Sequence, residues 1–511
     1  MKLRVLGLTL LAFVLVACGG GGGGGAVDVP GGDGAGTRGG TLVAAISGEP
    51  DQLDPHKTSA YASFQVLENV FDTLVEPDEE LQFQPALAES WETSEDGLTW
   101  TFTLREGVQW HNGREFVADD VVYSYKRIID EELANSYRFS SVQDVTAPDD
   151  STVVITVERP TPNLLANLGA FKGTAIVAKE NVEDGSITRE PVGTGAFRFD
   201  SYAPGDRLQI VRNDDYWGEE VMLDGVTFSF VSEPTVALTN LQGGQVQWTD
   251  NLPPQQVESL TGSDDLEVEA VASNDYWYFA ANQARKPFDD PRVRQALAYG
   301  IDREQITEAA TFGLATVNQT AIPEGSAFHD DYAPYERDVD KAKSLLADAG
   351  VTAPLAMDLM VTNEYPETVT AAQVIQSQLE EVGIEVKIRT LDFASWLDQQ
   401  GKGNFDVFLL GWLGNIDPDD FYYAQHRSGA NFNFQKYSNP DVDKALDAAR
   451  AETDEDARKQ LYEDAVKQIV DDASYVYLYN PQVVQAWSPD VRGYQVRADR
   501  AIRFRDVSLA S

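Results

Sequence analysis

The 511-residue sequence contains one cysteine, Cys18, and only four histidines, at positions 56, 111, 329 and 426. One cysteine cannot form an intramolecular disulfide or a cysteine-based metal cage. The histidines never occur at i, i+4 or at another spacing typical of metal ligands, so we expect them to be packed or solvated. The sequence therefore predicts neither a metal site nor a cofactor.

Motifs for covalent or phosphate chemistry are also lacking. There is no G-x-S-x-G, H-E-x-x-H or Walker A motif, and no Gly-Lys-Ser/Thr follows the glycines at 193 and 195. The many carboxylates mean that residue types alone do not exclude a glycosidase that uses two carboxylates. No motif, however, singles out a catalytic pair. The sequence favours a binding protein that is not an enzyme. The alternative is an exported hydrolase of peptides or glycans. Measuring whether the protein turns over its ligand would distinguish the two classes.

Basic residues are few: the chain contains 39 lysines and arginines and 83 acidic residues, which gives a net charge of −44. Such a surface repels nucleic acid and anionic lipid headgroups, so we exclude both as partners. Hydrophobic residues make up 42% of the chain and aromatic residues 10%, as in ordinary globular proteins. The length suits two or three domains, each with its own core.

The N-terminus has the pattern of an export signal. Lys2 and Arg4 precede an apolar run, Leu6–Ala17, that is too short to cross a bilayer. Leu15–Cys18 looks like a bacterial lipobox, which would make Cys18 the lipidated first residue of the mature chain. Residues 19–40 are rich in glycine and predict a flexible tether. We expect a lipoprotein anchored outside the cytoplasm, in the periplasm or on the outer face of the cytoplasmic membrane.

The most informative stretch, residues 191–218, predicts a β-hairpin. Phe197 and Phe199 alternate with polar residues, and Leu208 and Ile210 resume the alternation after a turn. The turn, Ala203–Asp206, has proline and glycine at the positions that a type II turn requires.

The same stretch resembles a known family. Residues 193–199 (G-T-G-A-F-R-F), 202–206 (Y-A-P-G-D) and 212–217 (R-N-D-D-Y-W) resemble the signature of family 5 extracellular solute-binding proteins, the peptide- and nickel-binding receptors of ABC importers. Residues 91–124, 286–297 and 405–421 resemble the same family. The resemblance extends from Thr41 to the C-terminus.

This resemblance implies an α/β (mixed α+β) fold of the two-lobed periplasmic-binding-protein type, class II, cluster C, with an extra peripheral α+β domain. The implied regions are lobe I (41–75, 190–283 and 486–511), the peripheral domain (76–189) and lobe II (284–485). Chain crossings near 281–286 and 482–488 would form the hinge on which the lobes close around a ligand. A monomer that delivers its ligand to the transmembrane subunits of an ABC permease is expected.

The candidate site lies after the apolar strand 405–410, because ligands of open α/β sheets bind at the carboxyl ends of strands. We expect Trp412 to stack on the ligand while Asn415 and Asp417 supply polar contacts. Tyr276 and Trp277 begin a run of four aromatics; on a strand, two would face a core and two a cleft. By the resemblance, Glu49 can also face the ligand.

The ligand itself stays open. Peptide-binding members of the family hold the α-amino group with an aspartate just after G-W-x-x, where this chain has Asn415 or a one-residue deletion. Dipeptide-selective members use an arginine of the second lobe, whereas residues 361–364 here read V-T-N-E. Asp417 or Glu49 could receive a cation instead, and a neutral site would suit an oligosaccharide or another organic solute. Nickel is not expected.

Overall fold

The computed structural model describes residues 38–171 and 173–510, so the predictions for Cys18, the signal segment and most of the tether lie outside the described residues. The strands of the described chain are β1 (Thr41–Ile46), β2 (Val75–Pro77), β3 (Phe83–Pro85), β4 (Ala88–Thr93), β5 (Thr99–Leu104), β6 (Val142–Asp149), β7 (Thr152–Val157), β8 (Phe197–Ala203), β9 (Arg207–Arg212), β10 (Gly225–Phe230), β11 (Trp248–Thr249), β12 (Glu267–Ala272), β13 (Tyr276–Ala281), β14 (Ala315–Val317), β15 (Leu355–Thr362), β16 (Ile384–Leu391), β17 (Val407–Trp412), β18 (Val476–Trp487), β19 (Val491–Arg492) and β20 (Ser508–Leu509).

The helices complete the mixed α/β architecture. They are α1 (Tyr61–Leu67), α2 (Ala118–Asp130), α3 (Leu164–Gly169), α4 (Lys179–Glu183), α5 (Pro234–Gln242), α6 (Pro254–Leu260), α7 (Pro291–Gly300), α8 (Arg303–Thr311), α9 (Val339–Asp348), α10 (Pro366–Val382), α11 (Phe393–Gly401), α12 (Pro418–His426), α13 (Pro440–Ala449) and α14 (Glu455–Asp471), with short 3₁₀ turns at Ser136–Phe139 and Ser186–Thr188. In the described part of the chain, no helix combines the length and apolar character needed to cross a membrane.

Aspartates begin many of these helices. Asp290, Asp302, Asp338 and Asp392 each accept a hydrogen bond from a backbone N–H in the first turn of the helix that follows. A side-chain acceptor at this position satisfies an N–H that the helix itself leaves unpaired. At α7 the capping aspartate is followed by Pro291 at the first helical position, and part of the acidic composition thus serves the fold.

The largest sheet has twelve strands, of which ten run in the order β16-β15-β17-β13-β18-β11-β1-β10-β9-β8, while β12 and β14 pair with β18. The strand β18 is twelve residues long. Its beginning pairs with β13 and its end with β11 and β12, so it joins the two halves of the sheet. The chain also passes between the halves at 273–275, between β12 and β13, which is earlier than the predicted crossing near 281–286.

Three main hydrophobic cores are built on this framework. The first core combines β1, α1 and β8–β10 with the C-terminal segment around Phe504. The peripheral core packs α2 against the sheet β4-β5-β7-β6 and buries Trp100 and Trp110, with Trp91 partly buried against it. The second core extends from Tyr276 to Tyr479 and covers both faces of β13, β15 and β17. Mixed α/β lobes with a peripheral α+β unit are the fold class that the sequence predicts.

The hairpin prediction is confirmed. Strands β8 and β9 pair in antiparallel fashion from Phe197 opposite Arg212 to Ala203 opposite Arg207. At the turn, Gly205 has a φ of 74°, in the left-handed region that a type II turn requires at this position.

Candidate functional site

The loop after β17 is held by a buried aspartate that no sequence motif indicated. Asp275 is 0% exposed and lies at the crossing between β12 and β13. Its Oδ1 accepts a hydrogen bond of 2.6 Å from the N–H of Gly414, and its Oδ2 forms an ion pair with Arg500. One carboxylate therefore connects the loop of the second core to the C-terminal segment of the first.

Arg500 is a second residue that sequence reasoning missed. Its φ of 62° is left-handed, a conformation that residues other than glycine seldom adopt. Its carbonyl oxygen accepts a hydrogen bond from the Tyr61 hydroxyl of α1. Residues distant in sequence (Tyr61, Asp275, Gly414 and Arg500) thus meet where the first and second cores face each other.

Three aromatic rings lie beside this junction and form what we call the aromatic wall: Trp277, Tyr365 and Tyr479. The ring of Trp277 lies parallel to that of Tyr479, with centroids 6.1 Å apart, and meets Tyr365 edge-on at 6.5 Å. Trp277 pairs with Gly411 in the sheet, where a Cβ would come within 2.5 Å of the indole ring. A side chain at position 411 would therefore displace the Trp277 ring.

The aromatic wall contains hydrogen-bonding groups that are not used. Trp277 is 4% exposed and Tyr479 is 1% exposed. Within the described chain, neither Nε1 of Trp277 nor the hydroxyl of Tyr479 has a hydrogen-bond partner. Since buried polar groups are nearly always paired, these two atoms are left for an ordered water or a ligand to satisfy.

Trp412 ends β17 and is held in place without being fully buried. Its Nε1 donates to the Tyr278 hydroxyl (3.2 Å), and its ring lies 4.9 Å from that of Phe432. Phe432 in turn meets Tyr137 of the peripheral unit edge-on at 5.3 Å. Trp412 therefore lies where second-core and peripheral residues approach each other, with part of its surface open to a ligand.

The other predicted site residues have different surroundings. Asn415 is buried and its Nδ2 donates to the carbonyl oxygen of Asp420 (3.4 Å). Tyr276 packs within the second core against Phe421, with ring centroids 5.8 Å apart. All of β13 is buried, because β13 lies between β17 and β18 with side chains packed on both faces. Burial therefore does not divide β13 into a core face and a cleft face, and Tyr276 is packed among core side chains.

Asp417 is occupied by structural contacts. Its Oδ1 caps α12 by accepting from the N–H of Asp419, and both its oxygens contact the Arg458 guanidinium at 2.7 and 2.9 Å. The two side chains are only 12% and 7% exposed. A bidentate buried pair of this kind leaves Asp417 engaged in folding, and its geometry does not support the ligand contact expected of it.

Glu49 is exposed and belongs to the hairpin. Its Oε1 accepts from the Tyr202 hydroxyl (2.6 Å) and from the N–H of Gly205 (2.8 Å). The carboxylate therefore ties the end of β1 to the β8–β9 turn. The structure does not bring Glu49 together with Trp412 or the aromatic wall through any contact among the described residues.

Glu367, in the first turn of α10, follows Tyr365 of the aromatic wall by two residues. It is partly buried, and no ion pair or side-chain partner for it exists among residues 38–171 and 173–510. Burial raises the pKa of Glu367, while the nearby charge of Arg500 lowers it to a smaller extent. Its charge in turn raises the pKa values of Tyr365 and Tyr479, which are raised mainly by burial.

The histidines are mostly structural. Burial lowers the pKa of His56 and His111 to about 4 and that of His426 to about 3, so these three are neutral at pH 7. His329 differs: its Nε2 lies 2.9 Å from Asp331, and Glu324 is close enough that the three donor atoms lie within 4.8 Å. The sequence spacing gave no sign of this group, which is largely exposed and lies outside the candidate site.

A two-lobed solute-binding protein is the class that this fold defines. The family described as bacterial extracellular solute-binding proteins, family 5 (middle region), matches residues 82–434, more than half of the chain. The chain belongs to this family of ABC-importer solute-binding proteins, as its sequence motifs predicted.

Relatives cover almost the whole chain. The dipeptide-binding protein of Escherichia coli K12 is 28% identical, with 92% of this chain and 94% of that protein matched. The glutathione-binding protein GsiB of Salmonella paratyphi A gives the same identity and coverage. Among solved structures, DppA of Helicobacter pylori in complex with the peptide STSA has a TM-score of 0.85 at 28% identity, covering 93% of this chain and 99% of that one.

A third kind of ligand occurs among the similar structures. AgaA of A. tumefaciens R10, in complex with agropinic acid, has a TM-score of 0.84 at 26% identity and covers 92% of this chain and 99% of its own. Relatives of this chain are thus solute-binding proteins of the extracytoplasmic space, a transport role without catalysis, and their solutes differ.

Proposed function

We propose that this protein is the lipid-anchored solute receptor of an ABC importer, which captures an oligopeptide or a similar organic solute between two hinged lobes and delivers it to the permease. The observation that supports this most strongly is the junction of Asp275, Gly414 and Arg500 beside the aromatic wall. It joins residues of the first and second cores. The proposed ligand site is at the adjoining ends of β13 and β17, where Trp412 lies on one face of the sheet and Trp277 of the aromatic wall on the other.

Closure follows from this arrangement. A solute that contacts both lobes stabilises the closed state more than the open one, and this difference shifts the population. Burial of aromatic surface at about 25 cal/mol per Å² suffices for micromolar binding without covalent chemistry. The protein therefore needs no catalytic group, and we propose that it does not turn its ligand over.

The first experiment is native mass spectrometry of the purified protein, followed by denaturation and identification of what it released. A set of peptides would support a peptide receptor. A single non-peptide solute would favour the alternative, a receptor of the same fold for an oligosaccharide or another organic compound, as the complex of AgaA with agropinic acid illustrates. Release of a cleaved product after incubation with intact ligand would support a hydrolase and contradict the proposal.

Trp412→Ala tests where the site lies. Removing a half-buried aromatic contact should weaken binding of the identified ligand by about 10-fold or more, since truncating an aromatic anchor typically costs about 1–3 kcal/mol or more. Tyr423→Ala is a matched control, because this partly buried ring of α12 packs under Arg450 away from the wall. Equal affinities of wild type and Trp412→Ala would show that the proposed site is misplaced.

Lipid anchoring rests on the sequence Leu15–Cys18. Cys18→Ser should release the protein from the membrane fraction of the expressing cell, because the thiol is the proposed attachment point and a durable anchor needs two or more acyl chains. The wild type should remain membrane-bound after washing in high salt. Retention of Cys18→Ser in the membrane would contradict lipidation at this residue.

A further inference from the structure

A histidine and two carboxylates meet on the segment between β14 and α9, outside the candidate ligand site. Donor atoms of Glu324, His329 and Asp331 all lie within 4.8 Å of one another. The three side chains line a recess of about 210 Å³, whose wall also includes Asn480 of β18. A water molecule occupies about 30 Å³ of liquid, so the recess has room for an ion together with several waters.

The orientation of the His329 ring leaves a lone pair where a positive charge is needed. Its Nδ1 lies 2.8 Å from the carbonyl oxygen of Ile322, which can only accept, so Nδ1 carries the ring proton. In a neutral ring Nε2 is then an acceptor, and it faces Oδ1 of Asp331, another acceptor, at 2.9 Å. Two acceptors at this distance require either a second ring proton or a metal ion between them.

The ring is held in this orientation by contacts that continue into β18. The carbonyl oxygen of Ile322 also accepts from Nδ2 of Asn318 (2.9 Å), and the same nitrogen donates to Oδ1 of Asn480 (2.8 Å). Asn480 is buried and donates in turn to the carbonyl oxygen of Asp275 (2.7 Å). Histidines that bind metals almost always donate their other ring N–H to such a fixed acceptor, which directs the free nitrogen at the ion.

We propose that Glu324, His329 and Asp331 bind a resident divalent metal ion of the zinc type, with water completing its coordination. Zinc accepts one imidazole nitrogen and two carboxylate oxygens as ligands, at about 2.0–2.2 Å, whereas magnesium and calcium favour oxygen alone. The spacing of 2.9 Å between His329 and Asp331 suits two neighbouring ligands of one ion. Glu324 is exposed, so its side chain is free to close the remaining distance. This site goes beyond the proposed function, because the ion is not the transported solute.

The competing explanation is an ordinary surface ion pair in which a second ring proton lies between His329 and Asp331. A proton joins only two atoms, so this explanation leaves the approach of Glu324 without a cause. The two explanations differ in a measurable way: an ion pair predicts that zinc binds wild type no more tightly than a variant without the imidazole.

Zinc binding is measured by titration calorimetry with zinc chloride on the purified, untagged protein after a chelator has removed bound metals. Magnesium in large excess suppresses binding by oxygen ligands alone on a surface with 83 acidic residues. We expect one zinc ion per chain. His329→Asn removes Nε2 but keeps an amide donor for Ile322, and should weaken binding by about 100-fold or more, since altering a group that merely orients a ligand costs about 10–100-fold.

Two further variants make the test specific. Asp331→Asn should weaken zinc binding by at least about 10-fold, and its side chain is 93% exposed, so the fold tolerates the change. Glu336→Gln, on an exposed carboxylate of the same segment, should bind zinc as wild type does. A crystal grown with zinc should show anomalous density beside Nε2 of His329.

The site is overturned if wild type binds no zinc, or if it binds several ions with affinities that are the same in all three variants, since the acidic surface alone would then attract them. Anomalous density only at other positions would contradict it as well. If His329→Asn melts well below wild type without zinc, Asp331→Asn decides the question alone. None of these results depends on which solute the receptor carries, so the proposed function stands or fails separately.

Discussion

Helices α10 and α12 both begin with acidic residues, but these residues differ in what they contact. On α12, Asp417 pairs with Arg458, Asp419 with Arg450 at 3.0 Å, and Asp420 with Arg138 at 3.5 Å. On α10, Glu367 has no such partner among the described residues. Arginines from distant positions in the chain thus pair with the three carboxylates of α12, whereas no arginine among the described residues pairs with Glu367 of α10.

The difference indicates that the carboxylates of α12 serve the fold. Arg138 belongs to the peripheral unit, where Asn163 also donates to Asp419 (3.3 Å), so Asp419 and Asp420 fix that unit against the second core. A buried carboxylate that is paired in this way depends on its partner, because removing the partner leaves an uncompensated buried charge.

The largest effect is expected for Arg458→Ala. Loss of the guanidinium leaves Asp417 buried without its partner, which should lower the free energy of unfolding by about 3–5 kcal/mol. Urea unfolding measures the change. Lys459→Ala, one residue further along α14, should stay within about 0.5 kcal/mol of wild type, as expected at a surface position. A loss for Arg458→Ala no larger than that control would mean that the pair adds little to the fold.

The partner of Asp417 illustrates what the sequence could and could not predict. The N-cap position of Asp417 follows from Asp-Pro before a helix, and the sequence also identified the hairpin, the buried strand β17 and the loop after it, because these features depend on neighbouring residues. Arg458 lies 41 residues away. No local sequence pattern indicates that α14 packs against the start of α12. The sequence alone therefore does not distinguish Asp417 from an unpaired carboxylate.

The aromatic wall was only partly predictable for the same reason. The sequence identified Trp277, but its contact with Tyr479 depends on the pairing of β13 with β18, which contains a register shift between Trp277 and Tyr278. The residues Asp275 and Arg500 belong to connecting segments without a motif, and Glu367 has the ordinary position of an acidic residue in a first helical turn. Only the tertiary arrangement distinguishes these three from other charged residues in a chain with 83 acidic side chains.

Asp419 should make the contact between α12 and the peripheral unit sensitive to pH. Burial raises its pKa from 3.8 to about 6, so the native state binds a proton more tightly than the unfolded state. This contribution to stability is fully present below pH 3.8 and is lost as the pH rises through about 6. It amounts to roughly 3 kcal/mol at most, from 1.36 kcal/mol per pKa unit.

The measurement compares Asp419→Asn with wild type in urea between pH 4 and pH 7. Relative to the variant, wild type should lose stability as the pH rises over this range. Asp264→Asn, at an exposed loop position, should show a difference from wild type that does not change with pH. A constant difference for Asp419→Asn as well would mean that Arg450 keeps Asp419 charged throughout.

Gly411→Ala tests the packing behind the aromatic wall. The added methyl group would lie within 2.5 Å of the Trp277 ring, and a well-packed interior accommodates such a group at about 1–3 kcal/mol. Because Trp277 would have to move, binding of the ligand should weaken as well. The matched control is Gly401→Ala at the end of α11, where a Cβ meets nothing within 4 Å and alanine favours the helix. Equal stability of the two variants would show that the wall can shift freely.

The smallest effect is expected for Glu49→Gln, because Glu49 is exposed and its oxygen serves only the hairpin turn. The amide oxygen of glutamine can accept the same two hydrogen bonds, so stability should fall by at most about 1 kcal/mol. Affinity for the identified ligand should stay within twofold of wild type. Set against the loss of about 10-fold or more expected for Trp412→Ala, this small change separates a residue outside the proposed site from one within it. A loss of affinity as large as that of Trp412→Ala would mean that Glu49 contacts the solute, as the family resemblance implies.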